Sequence, residues 1–508
     1  MEYELEKTRL EGFDMVLDTG LTREETLEMI VPDACPDILR VVETDGRVLI
    51  GRREAVASRV ELTGTFQLCV LYVPDGESGV RHLDVTIPFS CEAEGKDVGP
   101  GCQVVVSAEL CRADTRAVNP RKILARAEAA LHVAVFAPGT RVITSQVAPL
   151  MAEQVEQLTQ EREIYLTACV EEKPFTCSDE VSLPSGKPAC AELLKSRVNL
   201  SRGESKIIGS KLIFKGGVEL SFLYRGEDGG LHTAGSELPF SQIMEVTGVG
   251  EEAECELTLA LTGWMCSLAY GDDGRTVSVT VDVLAQAVVR ESRVVSALAD
   301  AYSTREPLDC EWEQFPMEGR LDRGVRSQNV REIYELPGLV QDVLSCRLAL
   351  GSVTQSREGS QLTLTAWGEL RLLYTGEGGE PYGANIPVEV SCPLELEEEC
   401  VCLCRCEGVG DVYAAPAPGG LEARFTLDFQ YCTLKRWELT ALSALYPGEA
   451  AQEAGEQPSL VLRMLERGER LWDVAKGCGT TVADIMGANQ LEEESQARGR
   501  LLLIPRKR

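Results

Sequence analysis

Four cysteines at alternate positions, Cys400, Cys402, Cys404 and Cys406, form the densest run of reactive side chains in the sequence. Residues two apart on a strand share a face, so all four thiols would line one side. Alternate residues on a straight strand lie about 6.5–7 Å apart, too far for four sulfurs to meet one metal ion. Zinc sites usually use Cys-x2-Cys spacing with ligands from two converging elements. Our reading is buried small apolar side chains, with metal capture and oxidative crosslinking as the alternatives. The nineteen cysteines are otherwise scattered, and an odd number without a secretion signal argues for reduced thiols in a cytosol. The three histidines, His82, His132 and His232, make no His-x3-His pair. Gly209-Ser210-Lys211 lacks the upstream glycine of a phosphate loop, and no Gly-x-Ser-x-Gly elbow is present. The acidic run from Glu395 to Glu399 reads as a solvated loop or an edge guard. These residues predict no cofactor, no metal site and no enzyme.

The last fifty residues carry a different kind of signal. Leu460, Leu462 and Met464 alternate with other residues, which suits a short half-buried strand. A helix is expected from about Leu471, with Leu471, Val474 and Ala475 on one stripe. Thr480 and Thr481 can cap a second helix bearing Val482, Ile485 and Met486. Leu501 to Ile504 reads as a closing strand stopped by Pro505. This order, strand, helix, helix, strand, together with Glu466–Ala475, Thr480–Ile485 and Ala488–Leu491, resembles a LysM domain. Such modules usually bind N-acetylglucosamine polymers such as peptidoglycan or chitin. The resemblance implies two ligand loops, one at Gly468, Glu469, Arg470 and Leu471, the other at Asn489, Gln490 and Leu491. Where the common pattern has Gly-Asp-Thr-Leu, this chain has Glu469 and Arg470 in the middle, and Ala497-Arg498-Gly499 stands where Tyr-Pro-Gly is common. Trp472 either caps the small core or stacks on a sugar.

The rest of the chain repeats. Val31-Pro32, Leu183-Pro184 and Leu336-Pro337 each open a copy. A short helical stretch is expected after each, at Pro36–Leu39, Ala191–Leu194 and Val340–Leu344. Then one strand recurs: Phe66, Leu68, Val70, Tyr72; Val218, Leu220, Phe222, Tyr224; Gly368, Leu370, Leu372, Tyr374. Its period of two marks a strand with one buried face. Turns follow at Asp75-Gly76, Asp228-Gly229 and Gly378-Gly379. His82 and His232 lie at corresponding places just after the turn, as repeat-surface residues. Few helical periods interrupt the strands, which argues against an α/β core. A period near 150 exceeds that of a solenoid, so the copies read as beads, each with its own core.

Three such copies followed by the terminal module resemble the SPOCS-domain family of endospore-forming Firmicutes, whose LysM-bearing members are spore-coat morphogenetic proteins. The fold this implies is mainly β: three tandem antiparallel β-sandwich-like SPOCS repeats plus a small α+β (βααβ) LysM domain. The boundaries read as a lead segment with a short helix over 1–30, from the capping box Thr22-x-x-Glu25, and a first repeat over 31–136. A linker over 137–182 precedes the second repeat, 183–290; it includes a polar helical stretch from about Met151 to Glu163. A linker over 291–335 precedes the third repeat, 336–446. A flexible tether over 447–458 leads to the module, 459–508. The resemblance implies a non-enzymatic role in seating coat or exosporium layers on the forespore. The implied partners are the coat-basement ATPase and other coat proteins, or alternatively peptidoglycan.

Composition bears on the surroundings. The net charge is −31, from 50 Lys and Arg against 81 Asp and Glu. Residues 459–508 carry nine basic and seven acidic side chains, so the first 458 residues hold −33. Such a body repels nucleic acid. No stretch of about 18 apolar residues offers a membrane span. The acidic start, Met1–Glu6, lacks a signal pattern, so the expected location is the mother-cell cytoplasm at the forespore surface.

Overall fold

The computed structural model describes residues 3–149, 155–269, 273–396, 400–448, 459–466 and 468–506. It is built mainly of antiparallel strands. The first repeat runs β1 (Leu5–Ile30), β2 (Ile38–Val56), β3 (Arg59–Pro74), β4 (Arg81–Glu94), β5 (Gln103–Asn119) and β6 (Lys122–Val147). The second runs β7 (Glu156–Ser182), β8 (Cys190–Ile208), β9 (Lys211–Gly226), β10 (Leu231–Glu245), β11 (Glu254–Leu268) and β12 (Thr276–Tyr302). The third runs β13 (Leu308–Tyr334), β14 (Asp342–Glu358), β15 (Gln361–Thr375), β16 (Pro381–Glu395), β17 (Cys400–Ala417) and β18 (Gly420–Pro447). In each repeat the first strand pairs with the sixth and the sixth with the fifth, while the second, third and fourth form a separate sheet. Phe13 pairs with Thr167, which joins the outer sheets of the first two repeats into one of six strands.

Each pair of sheets encloses a core. In the first repeat Phe66, Val70 and Tyr72 on β3 pack against Ile123, Ala125, Ala127 and Ala129 on β6. In the second, Phe214, Phe222 and Tyr224 meet Val277, Val279, Val281 and Val283. The recurring tyrosines end in matching bonds: Tyr72 donates to the Pro36 carbonyl at 3.3 Å and Tyr224 to that of Pro188 at 3.2 Å. Hairpin turns form where the sequence places them, with Gly76, Gly229 and Gly378 all at positive φ.

Several local expectations change. The helix expected within 1–30 is part of β1, whose side chains alternate inward and outward through Leu21, Arg23, Glu25, Leu27 and Met29. Full pairing with β6, from Thr22 opposite Ala130 to Ile30 opposite Lys122, overrides the local capping signal. Cross-strand ion pairs, Glu24 with Arg126 and Glu28 with Lys122, reinforce that pairing. The short helices expected at 36–39, 191–194 and 340–344 give way to strand starts. Bulges there, at Ile38/Arg40 and Val41/Glu43, Cys190/Glu192 and Leu193/Lys195, and Val343/Ser345, insert extra residues and space apolar side chains by three or four.

Most described residues of the segments read as linkers, 137–182 and 291–335, are strand as well: the ends of β6 and β12, all of β7, and β13. Of the helical stretch expected over 151–163, residues 151–154 lie outside the described residues, and 156–163 belong to β7. Of the tether 447–458, residues 449–458 lie outside them, as do 397–399 of the acidic run.

The repeats are therefore not separate beads. Beyond its sandwich each repeat extends a two-stranded ribbon from its first and last strands, and the three ribbons pack together. Leu10 and Ile143 from the first meet Ile164, Val295 and Ala297 from the second and Phe315, Met317, Leu439 and Ala441 from the third. Non-local contact of this extent makes one body. Among the described residues no helix is long and apolar enough to cross a membrane.

Candidate functional site

The terminal module is built from β19 (Leu460–Met464), α1 (Leu471–Cys478), α2 (Val482–Ala488) and β20 (Leu501–Pro505). At the head of α1 the Asp473 carboxylate accepts the Arg470 backbone N–H and two guanidinium bonds, of 3.0 and 2.8 Å. Those bonds hold the Asp473 carboxyl below its usual range. Gly479, at φ 64°, closes the helix in the left-handed conformation. The Thr481 hydroxyl accepts the Asp484 N–H at 3.0 Å and caps α2. Leu471, Val474, Ala475, Ile485, Leu502 and Ile504 make the core.

This core is completed by the body. Tyr302, at the end of β12, packs edge-on against Trp472 with ring centroids 4.8 Å apart. Its hydroxyl donates to the Thr480 carbonyl at 2.9 Å, and burial pushes that hydroxyl's pKa up. Asp300, two residues earlier, accepts the Trp472 indole N–H at 2.8 Å and the Lys476 ammonium at 2.7 and 2.9 Å. A module of some fifty residues is marginal alone, and this attachment supplies the apolar surface it lacks.

The eight loop residues differ in exposure. Leu471, Trp472 and Leu491 are buried, Trp472 at 6 % exposure. Trp472 thus caps the core and faces the body. Asn489 is committed to structure: its amide donates to the Ile485 and Leu503 carbonyls at 2.8 and 2.7 Å and accepts the Leu503 N–H at 2.7 Å. Gly468, Arg470 and Gln490 are exposed, and Glu469, half-buried, pairs with Arg463 at 2.7 Å. The Arg470 guanidinium is held above its usual pKa first by the Asp473 bond, then by the charges of Asp300 and of Glu494 in the second loop. The two loops therefore share one electrostatic neighbourhood. The strand register differs from expectation. Val461 turns toward the helices, while Leu460, Leu462 and Met464 turn away, because Val461 opposes Ile504, the core residue of β20.

A second cluster carries no sequence motif. Asp45 on β2 is 4 % exposed in its side chain and faces Arg197 at 2.6 Å, Arg371 at 3.2 Å, Arg347 at 3.4 Å and Lys195 at 3.8 Å. Lys195 also pairs with Glu43 at 2.6 Å. Burial opposes the Asp45 charge, but Arg197, Lys195, Arg347 and Arg371 outweigh it and hold the carboxyl well below its usual range. Arg197 lies 152 residues beyond Asp45 and Arg347 another 150, the offsets that separate the recurring tyrosines. One position of each repeat thus meets at a shared junction. Applying those offsets to β2 would have paired Glu43 with Lys195 and Asp45 with Arg197 from the sequence alone.

Farther along the junction lies a cavity of about 340 Å³ lined by strands of all three repeats. Glu256 binds Arg290 at 2.6 Å and Arg405 at 2.7 Å there. Burial alone would raise the Glu256 pKa, but Arg405 and then Arg290 bring it down to about 2. Gln286 exchanges two 2.8 Å bonds with the Val106 backbone, so a side-chain amide serves as a strand partner between repeats.

The cysteine strand is β17. Cys400 and Cys402 are buried, and Cys402, Cys404 and Cys406 pack with the third core. Burial pushes the Cys402 thiol up to about 11 and those of Cys404 and Cys406 up to about 12, which keeps them protonated. Among the described residues no three His, Cys, Asp or Glu side chains are grouped to hold a metal. The histidines lie apart, His132 beside Asp18 at 2.7 Å, His232 beside Asp228 at 3.0 Å and His82 beside Glu192 at 3.6 Å.

Residues 37–118 and 191–269 correspond to the second through fifth strands of the first two repeats. Both match the family model described as SipL, SPOCS domain. The matched family suggests a sporulation-related role. No curated protein and no solved structure matches the chain.

Proposed function

We propose that this protein is a non-enzymatic scaffold in assembly of the spore envelope, coat or exosporium. In this reading it acts in the mother cell at the forespore surface. Its LysM-like module docks the coat-basement ATPase, and its fused repeats hold further coat proteins. The observation that carries the reading, beside the SPOCS match, is the attachment of the module through Trp472, Tyr302 and Asp300. A fixed module presents Gly468, Arg470 and Gln490 outward at a set angle, as a scaffold requires. With its indole turned to the body, Trp472 is withheld from sugar stacking, which favours a protein ligand over peptidoglycan.

The test is cosedimentation of the full chain with polymerised coat-basement ATPase and, separately, with insoluble peptidoglycan. A companion variant carries Arg470→Glu and Gln490→Ala. Retention on the ATPase, weakened at least tenfold in the variant, with none on peptidoglycan, is the expected result. Retention on peptidoglycan alone would establish the glycan-binding alternative.

A further inference from the structure

The three repeats leave a hollow between them. The cavity of about 340 Å³ at their junction falls at the small end of pockets that hold organic molecules, about 300–1,000 Å³. Its floor is apolar. Val105, Ala134 and Phe136 of the first repeat and Val288 of the second form one buried cluster, with Met15 packed against it. Its polar wall comes from the second and third repeats. Glu254 is shared by Arg320, at 2.6 Å, and Arg323. Glu256 is shared by Arg290 and Arg405. Four guanidiniums thus surround two carboxylates, an excess of two positive charges on a chain of net charge −31. Each guanidinium has five N–H donors, more than a shared carboxylate can accept. The Arg290 guanidinium also lies 5.9 Å from the centre of the Phe136 ring, so charge and apolar floor meet. The acidic lining residue from the first repeat is Asp18, paired with His132 at 2.7 Å.

We propose that this cavity binds one small monoanionic amphiphile, a carboxylate or sulfonate head on an aromatic or short aliphatic body. The head sits at the guanidiniums of Arg290, Arg323 and Arg405, where charge-assisted bonds are strongest. The body lies on Val105, Phe136 and Val288, a floor that offers water few hydrogen bonds. A cation would meet the arginine excess, and a neutral molecule would leave it unused. Asp18 disfavours a second negative charge on the ligand. The mouth is on the side of the third repeat, where Arg323 and Val325 line the cavity with side chains about half exposed. Because every repeat contributes to the lining, a bound ligand favours the closed arrangement of the three. None of these residues belongs to the terminal module, so the site adds to its docking reading and does not depend on it.

The probe is naphthoate, titrated into the full chain by isothermal calorimetry beside its neutral amide and the cationic naphthylmethylammonium. One site per chain is expected, with naphthoate bound at least tenfold more tightly than either analogue. The melting temperature should rise with naphthoate concentration. Arg323→Gln removes a cation at the mouth and should weaken naphthoate at least fivefold while leaving the amide within about twofold. Val325→Trp narrows the mouth and should weaken naphthoate at least tenfold. Both positions are at the surface, and circular dichroism melting verifies that the variants fold. Absence of saturable binding would overturn the proposal. So would equal affinity for the anion, the amide and the cation, or naphthoate binding that neither variant alters.

Discussion

Tyr72, Tyr224 and Tyr374 occupy one position of the repeat and are the same residue. Asp45, Arg197 and Arg347 occupy another and are not. The tyrosines lie inside three separate sandwiches that each bury a similar shape, so each core favours the same side chain. The second set lies where the three repeats meet, so its members see one another. Three carboxylates, or three guanidiniums without a carboxylate, would repel in a buried place. Divergence at the junction is what allows three copies to close on each other, and it also fixes which copy faces which.

The severest way to break that contrast is Asp45→Arg, which leaves a buried cluster of cations with no carboxylate at its centre. The expected cost exceeds about 5 kcal/mol, read as loss of a single cooperative transition in guanidinium. Adding Arg197→Asp should restore much of it. Phe66→Ala removes a fully buried ring from one core and should cost about 3–5 kcal/mol, with the same denaturant measurement and no rescue from another repeat. Asp300→Ala removes the acceptor shared by Trp472 and Lys476. A loss of about 1.5–3 kcal/mol in module attachment is expected, seen as faster hydrogen exchange over α1 and faster proteolysis near residue 458.

Acid strips charge from the junction. Asp45 and Glu256 have folded-state pKa values below their unfolded ones, Glu256 at about 2. Their contribution is complete above the unfolded values, near 4, and disappears as pH falls through the folded ones. Melting temperature should therefore drop between about pH 4 and pH 2, and Glu256→Gln should flatten the lower part of that slope. At the small end, Glu24→Gln breaks an exposed cross-strand pair with Arg126 and should change stability by less than about 0.5 kcal/mol.

The inner faces of β3, β9 and β15 were legible because their alternation is unbroken and their turns carry glycine. The strand starts at Ile38, Cys190 and Asp342 were not, since bulges gave them helical spacing. Nor was β1, where Thr22 and Glu25 mimic a cap while partners more than 100 residues away decide the conformation. In the module the cap at Thr481 was readable locally, whereas the cap that Asp473 makes on the Arg470 N–H was not expected. The facing of Leu462 was not, because alternation gives two faces without saying which the helices take. Trp472 left both roles open until Tyr302 and Asp300 supplied its surroundings. The junction was readable in principle, but only by carrying the repeat offset onto charged residues rather than apolar ones.

The pairing of first strand with last also has a consequence in time. Ile30 lies opposite Lys122, so the finished β1 meets the first residue of its partner only after about 90 further residues have been made. At typical synthesis rates that is roughly 5–18 s on the ribosome. Throughout that interval a 26-residue strand has both edges open, the kind of template on which nascent chains adhere to one another. Its outward Glu24 and Glu28, worth little to the finished fold, guard the chain while it waits.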